Sequence, residues 1–373
     1  VIYLDYSANT PADEAVLEAF CKTEQTFWGN PNSTHPLGRL AGQAMADATA
    51  HIAALLGVQP QEVIFTSGAS ESNNLAIKGI AQASRPLGRH ILSTALEHSS
   101  VGGALSALQQ QGWEIDLLDI DRNGQVDLQQ LEELLRPDTV LVAVSAVDSE
   151  LGTVQPIQAI GALVKRYPNC HLHVDATQAV GKTPLVWDGV DTMSIAPHKF
   201  YGLNGSGLLV KRQNVVLEPL IHGGVSTTIY RSGTPALGLA VSTEVALTKA
   251  LENCSQWASY VAELNHKLRK ALSAYPQVVI NSPEGAVPHI LNLSVEGVKG
   301  TAFQEALAQR GVCVSVKSAC STPGTPSKAV FAVSRNRKRA MSSWRISLSY
   351  LTTPEELEEF LKIFDVCYKE LVP

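Results

Sequence analysis

Short apolar runs alternating with stretches of helical period constrain this chain more than any other feature. "EVIFTSG" (Glu62 to Gly68), "RHILSTA" (Arg89 to Ala95), "TVLVAVSAV" (Thr139 to Val147), "CHLHVDA" (Cys170 to Ala176) and "DTMSIAP" (Asp191 to Pro197) read as strands. Between them, "AGQAMADATAHIAALLG", "GGALSALQQQG" and "QAIGALVKRYP" are helical by period and are closed by Gly or Pro. That order predicts an α/β fold, a mainly parallel sheet covered by helices. A long helical stretch over 236–272 follows. From about Asn281 the pattern becomes strand, helix, strand, loop, strand, helix, as expected of a second, smaller α+β domain. A chain of 373 residues, 45% of them hydrophobic, is long enough for both cores.

A net charge of −6 argues against a dedicated nucleic-acid binder, which needs an excess of Lys and Arg to neutralise phosphates. The basic segment "SRNRKR" (Ser334 to Arg339) reads as a solvated surface loop, with partner docking as the lesser reading. No apolar run approaches the ~20 residues that span a bilayer, so a soluble, cytoplasmic protein with no membrane role is expected. The six cysteines form no Cys-x-x-Cys pair, so neither a zinc ribbon nor a disulfide framework is indicated. Cys21, Cys170, Cys254 and Cys367 read as small buried apolar residues, and Cys313 as strand core.

Candidate chemistry gathers where strands end, the place where open α/β sheets hold their ligands. In "FTSGASESNN" a strand runs into Gly68, Ala69 and Ser70 and a helix follows. Backbone N–H groups at a helix start, with a hydroxyl and a glycine, make a phosphate seat, although Ser in a turn is often only a cap. Asp175 ends one apolar strand and Lys199 ends the next. A carboxylate and an amine so placed can grip pyridoxal phosphate at its two ends, with the carboxylate keeping the pyridine nitrogen charged and the ring an electron sink.

"YLDYSANTP", "WGNPNSTH", "FTSGASESNN", "EHSSV", "HVDATQAVGK", "HKFYG", "RSGTP", "KSACST" and "WRISLS" run in order along nearly the whole chain. Together they resemble the cysteine desulfurases of the NifS/IscS-like branch, which are pyridoxal-phosphate enzymes of fold type I in the aminotransferase class V group. The resemblance implies a large cofactor-binding domain over 14–255 and a small domain made of 1–13 with 256–373. It implies Lys199 as the lysine that holds the cofactor aldehyde, His198 and Ser70 as phosphate contacts and Asp175 as partner of the ring nitrogen. Gln178 would meet the ring hydroxyl and His98 the ring face. Thr234 would reach the phosphate of a neighbouring subunit, which makes the enzyme a homodimer.

Cys320, in the Ser-, Thr-, Gly- and Pro-rich "KSACSTPGTPSK", is expected on an exposed loop, where Lys317 favours its thiolate. By resemblance it attacks the sulfur of bound L-cysteine and keeps it as a persulfide for an acceptor protein, such as one in iron–sulfur cluster assembly. Arg345 would clamp the substrate carboxylate with its two-pronged guanidinium, Lys199 would take the Cα proton, His98 would carry a proton and Asn30 would touch substrate. Several positions depart from the family pattern. Ser149 stands where an Asn is usual, Ala196 where a Ser is, and Tyr350 where an Arg is. Two alternatives therefore stand beside desulfurase: a selenocysteine lyase or related C–S lyase, and a degenerate paralogue with a scaffold role.

Overall fold

The computed structural model describes residues 1–317 and 325–372. The chain opens with strand β1 (Ile2–Tyr3) and helices α1 (Glu14–Thr26) and α2 (Pro36–Leu56). It continues through β2 (Val63–Thr66), α3 (Ala69–Ser84), β3 (His90–Thr94), α4 (Ser99–Gln110), β4 (Glu114–Leu118) and α5 (Leu128–Leu134). Then come β5 (Thr139–Ser145), α6 (Ile157–Val164), β6 (His171–Asp175), β7 (Thr192–Ile195) and β8 (Gly207–Lys211). Helices α7 (Leu237–Glu252) and α8 (Cys254–Leu272) lead to β9 (Val278–Ile280), β10 (Ile290–Val295), α9 (Gly300–Ala308) and β11 (Val312–Cys313). The described chain closes with α10 (Lys328–Ser334), α11 (Arg337–Met341), β12 (Ser343–Ser347) and α12 (Pro354–Leu371).

The largest sheet has the order β2-β8-β7-β6-β5-β3-β4. Every neighbouring pair is parallel except the two that β8 makes, so the expected mainly parallel sheet carries one reversed strand inside it. Its central strands are buried on both faces: in β5 every residue but the last is buried. Such strands read as continuous apolar runs because helices cover both sides.

Apolar clusters lie on both sides of that sheet, one including Val142, Leu172 and Met193, the other Ile64, Leu75 and Ile91. A separate cluster joins Leu4 to α8, β10, β12 and α12, with Phe303 stacked on Trp344 at a centroid distance of 5.3 Å. Parallel pairing of β1 with β11 sews the N-terminal segment to this second core.

The long helical stretch is two helices rather than one. Asn253 interrupts it at φ −99° and ψ 0°, and its Nδ2 donates to the carbonyl of Lys249 at 2.8 Å. A side chain that satisfies its own helix's carbonyl offers the backbone an alternative to continuing. The basic segment is also no simple loop. Ser334 ends α10, Arg335 turns left-handed, and Arg337 to Arg339 lie in α11. Arg339 is anchored, its Nε donating to Asn281 Oδ1 at 2.5 Å, while Arg335, Arg337 and Lys338 are exposed. Among the cysteines, Cys170 and Cys367 are buried as expected, but Cys21 lies exposed on α1 and Cys254 and Cys313 are half-buried.

Candidate active site

The carboxyl ends of β2, β5, β6 and β7 converge on a cavity of about 370 Å³. Gly68, Ala69, Ser70, His98, Ser149, Asp175, Gln178, His198, Lys199 and Arg345 all line it. A larger open cleft of about 710 Å³ lies at the opposite strand ends, beside His171, Asp191 and Arg212. It holds none of the motif residues, and the carboxyl end of a parallel sheet is where ligands are expected.

Lys199 sits on a single tight turn after β7, and its Nζ donates to the carbonyls of Ser7 (2.9 Å) and Ala8 (2.6 Å). The backbone just beyond is strained: Tyr201 has φ +67°, a left-handed conformation costing about 1–2 kcal/mol for an ordinary residue. Thr10 holds it there, with its Oγ1 accepting from Tyr201 N at 2.8 Å, and the Asp13 N–H reaches the Tyr201 carbonyl at 2.9 Å. Tyr350 is absorbed into this support. It stacks on Trp257 at 4.2 Å and meets Tyr201 edge-on at 4.7 Å, which gives the departure from the family Arg a packing role.

Asp175 ends β6 and is buried. Its Oδ2 accepts from Asn73 Nδ2 at 2.8 Å and its Oδ1 from Thr177 N at 2.9 Å. Gln178 donates to the Ser7 carbonyl at 2.9 Å and accepts from Lys182 Nζ at 2.8 Å, so both ends of its amide are already engaged. Burial, reinforced by Lys199 and Arg345, pulls the Lys182 amine down to about 7. Burial, reinforced by Lys199 and Lys182, pulls His198 down to about 4 and keeps it neutral at physiological pH. Burial also lowers His98, outweighing the pull of Asp175 in the other direction.

At the other end, Gly68 leads into the first turn of α3 with its outward N–H groups. Gly207 of β8 packs beneath, where a Cβ would fall 2.5 Å from Gly68 Cα. Only glycine permits that approach. Burial works to raise the Glu71 carboxyl, but its bonds from Ser67 and Arg231 win and hold it below the usual range. The Nε of Arg231 in "RSGTP" donates to Glu71 Oε1 at 3.0 Å, tying that loop to this end of the cavity. Ala196 lines the wall without a hydroxyl to offer.

Arg345 on β12 is only 2% exposed. It donates from Nη1 to the Ser149 carbonyl at 2.6 Å and from Nη2 to Asp5 Oδ1 at 3.0 Å, while its Nε has no acceptor among the described residues. Asp5 also accepts from Ser315 Oγ at 2.8 Å. Replacing Asp5 by Ala strands a buried guanidinium, so we expect a loss of roughly 3 kcal/mol in urea unfolding. A change under about 0.5 kcal/mol, the size of an ordinary surface effect, would show that the pair carries no structural load.

Not every expected residue reaches the cavity. Asn30 is exposed, uses its Oδ1 to accept from Asn32 N and does not line it; Thr234, expected at the phosphate of a neighbouring subunit, is exposed on the loop before α7. Cys320 lies outside the described residues. Lys317 and Thr325, on either side of that segment, are joined by bonds of 2.9 and 2.8 Å from Lys317 Nζ. Sequence reasoning missed Ser7, Ala8, Asn204 and Gly205 as cavity residues, and Asp5 and Asn73 as the groups that hold Arg345 and Asp175. Asp5 and Asn73 do fall inside quoted motifs, but nothing in the spacing says which residue each one touches.

The model of the family described as "Aminotransferase class-V" matches residues 2–360. The chain belongs to the class-V aminotransferase family. The chain is 38% identical over 369 residues to a Bacillus subtilis protein named "Putative cysteine desulfurase IscS 1", covering 97% of each chain. It is 36% identical to the "Cysteine desulfurase IscS" of Dictyoglomus turgidum, over 99% of this chain and 95% of that one. Among solved structures, a "NIFS-LIKE PROTEIN" superposes with a TM-score of 0.93 at 34% identity, over 99% of this chain and all of that one. A structure titled "SspA in complex with cysteine" gives 0.83 at 32% identity, covering 95% and 100%.

The cavity's donor set fits pyridoxal phosphate. A carboxylate ending β6 and an amine on the turn after its paired neighbour β7 stand together, and the first turn of a helix offers N–H groups for a phosphate. Among the described residues no group of His, Cys, Asp and Glu is arranged to hold a metal ion, and no helix is long and apolar enough to cross a membrane.

Proposed function

We propose that this member of the class-V aminotransferase family is a pyridoxal-phosphate-dependent cysteine desulfurase that converts L-cysteine to L-alanine and holds the released sulfur on Cys320. The observation that carries the reading is Lys199 and Asp175 sharing one cavity with the buried Arg345. Names of relatives at 36–38% identity over nearly the full chain support the same activity.

Lys199, Asp175 and Gln178 would hold the ring end of the cofactor, with His98 and Ser149 beside them. Ser70, His198 and the Gly68 and Ala69 backbone would hold the phosphate, joined by Thr234 of a neighbouring subunit in a homodimer. When bound, pyridoxal phosphate supplies an aldehyde for Lys199 and a ring that takes up electrons from the substrate Cα.

Arg345, which lines the cavity, receives the substrate carboxylate through guanidinium N–H groups not already given to the Ser149 carbonyl and Asp5. Lys199, freed from the Ser7 and Ala8 carbonyls, takes the proton from Cα. The Cys320 thiolate forms a bond to the substrate Sγ as the Cβ–Sγ bond breaks. The products are alanine and a persulfide, so that cysteine plus an enzyme thiol balances alanine plus an enzyme S–SH. The persulfide passes to an acceptor protein. Free cysteines among the described residues fit a reducing cytoplasm.

The test is alanine formation by the purified, cofactor-loaded protein from L-cysteine and, separately, from selenocysteine. Alanine from cysteine supports the desulfurase; alanine from selenocysteine alone would replace it with a lyase.

A further inference from the structure

Among the described residues, the ring of His98 is held by one nitrogen. As the cap of α4 its Nδ1 lies 3.2 Å from the Ser100 N–H and 2.8 Å from Ser100 Oγ. Ser100 Oγ in turn lies 2.9 Å from Asn73 Nδ2, the same nitrogen that is 2.8 Å from Asp175 Oδ2. On its far side Asn73 Oδ1 is 3.0 Å from His173 Nε2, and His173 Nδ1 is 2.9 Å from Thr192 Oγ1.

The bonds of this chain are directed from its two ends, by the Asp175 carboxylate and by the Ser100 backbone N–H. An ionised carboxylate only accepts, so the Asn73 edge facing Asp175 must be the NH2 group. The Asn73 oxygen then faces His173 Nε2, which must carry a hydrogen. Full burial keeps His173 neutral, pulling it down to about 4, and its Nδ1 accepts from the Thr192 hydroxyl. The second Asn73 hydrogen goes to Ser100 Oγ. The Ser100 backbone N–H donates to His98 Nδ1, so that nitrogen carries no hydrogen and the single Ser100 hydroxyl hydrogen is the one that points to it. Two donors from Ser100 therefore meet His98 Nδ1, which leaves the ring's hydrogen on Nε2.

We propose that Asn73 and Ser100 are positioning residues that fix His98 as the neutral Nε2–H tautomer, so that it offers the cavity a hydrogen-bond donor rather than a base. The proposal deepens the desulfurase reading and rests on it for what His98 does in turnover. It assigns removal of the Cα proton to Lys199 alone, because a neutral imidazole with its lone pair turned into α4 has nothing to take a proton with on the other side.

The test is 15N NMR of histidine-labelled holoenzyme at pH 8, with the His98 pair identified by its loss in His98→Gln. We expect the chemical shift of an unprotonated nitrogen at Nδ1 and of a protonated one at Nε2. Ser100→Ala, which leaves only the backbone N–H on Nδ1, should move both signals part of the way toward the averaged values of mixed tautomers, and Ser100→Thr should restore them. Asn73→Ala should cause the same drift by freeing the Ser100 hydroxyl. A proton on Nδ1 in the unaltered enzyme, an imidazolium at this pH, or Ser100→Ala signals unchanged from those of the parent would each overturn the assignment. None of these bears on whether alanine is formed from cysteine, so a failure of the tautomer and a failure of the desulfurase reading are separately visible.

Discussion

Lys199→Ala should eliminate turnover of L-cysteine, with a loss above ~10⁴-fold, the upper range of general acid–base catalysis, because anchor and base vanish together. The substitution leaves the surroundings in place. The Ser7 carbonyl keeps its bond from Gln178, and the turn bearing Lys199 is held from outside by Thr10, which donates through both N and Oγ1 to the His198 carbonyl at 3.0 Å. A loss of activity would thus report chemistry rather than unfolding, and thermal unfolding close to that of the parent would establish this. Lys199→Arg makes the sharper comparison. It keeps a cation against the Ser7 and Ala8 carbonyls, yet guanidinium neither bonds to an aldehyde nor gives up a proton near neutrality. Turnover of Lys199→Arg within tenfold of the parent would show that the amine is not the reacting group.

The second large effect belongs to Cys320→Ala. Alanine formation from L-cysteine should fall by at least about 100-fold, or ~2.7 kcal/mol of transition-state stabilisation, because no thiolate remains to accept the substrate sulfur. The visible absorption of the bound cofactor should stay as it is in the parent, since every residue assigned to hold it is intact. Serine is no substitute: a hydroxyl is a far weaker nucleophile toward sulfur, so Cys320→Ser should behave like Cys320→Ala. Unchanged alanine formation in both variants would remove the persulfide from the mechanism and leave a lyase that releases its chalcogen directly.

Much of this architecture was legible in the sequence, for physical reasons that differ from part to part. The strands of the parallel sheet were visible because burial on both faces leaves uninterrupted apolar runs, as in "TVLVAVS". The reversed β8 was not read, since "GLLVK" is short and its place is fixed by pairing with distant Val63 to Thr66 on one side and with Thr192 to Ile195 on the other. The break at Asn253 hides inside an apolar period that α7 and α8 share, and only the side-chain bond to Lys249 reveals it.

In the site, residues that end strands were recognisable by position. Asp175, Lys199, Ser70 and His98 come together in one cavity. The residues that hold them were not recognisable. Asp5 meets Arg345, and Asn73 meets Asp175, across separations that no local pattern encodes. Ser149 shows the same limit from the other direction: its side chain marks a departure from the family, whereas its carbonyl is the acceptor for Arg345.

The most direct test of the central claim uses a buried amine beside the cavity, that of Lys182, as a built-in competitor. Lys182 donates to Gln178, which lines the cavity, and burial draws its amine down to about 7, so a second lysine with substantial neutral amine lies close by. Borohydride reduction of the cofactor-loaded protein, followed by proteolysis and mass spectrometry, would locate the covalent bond. The account predicts one pyridoxyl group, on the peptide bearing Lys199. A pyridoxyl group on Lys182, or none on any lysine, would contradict it.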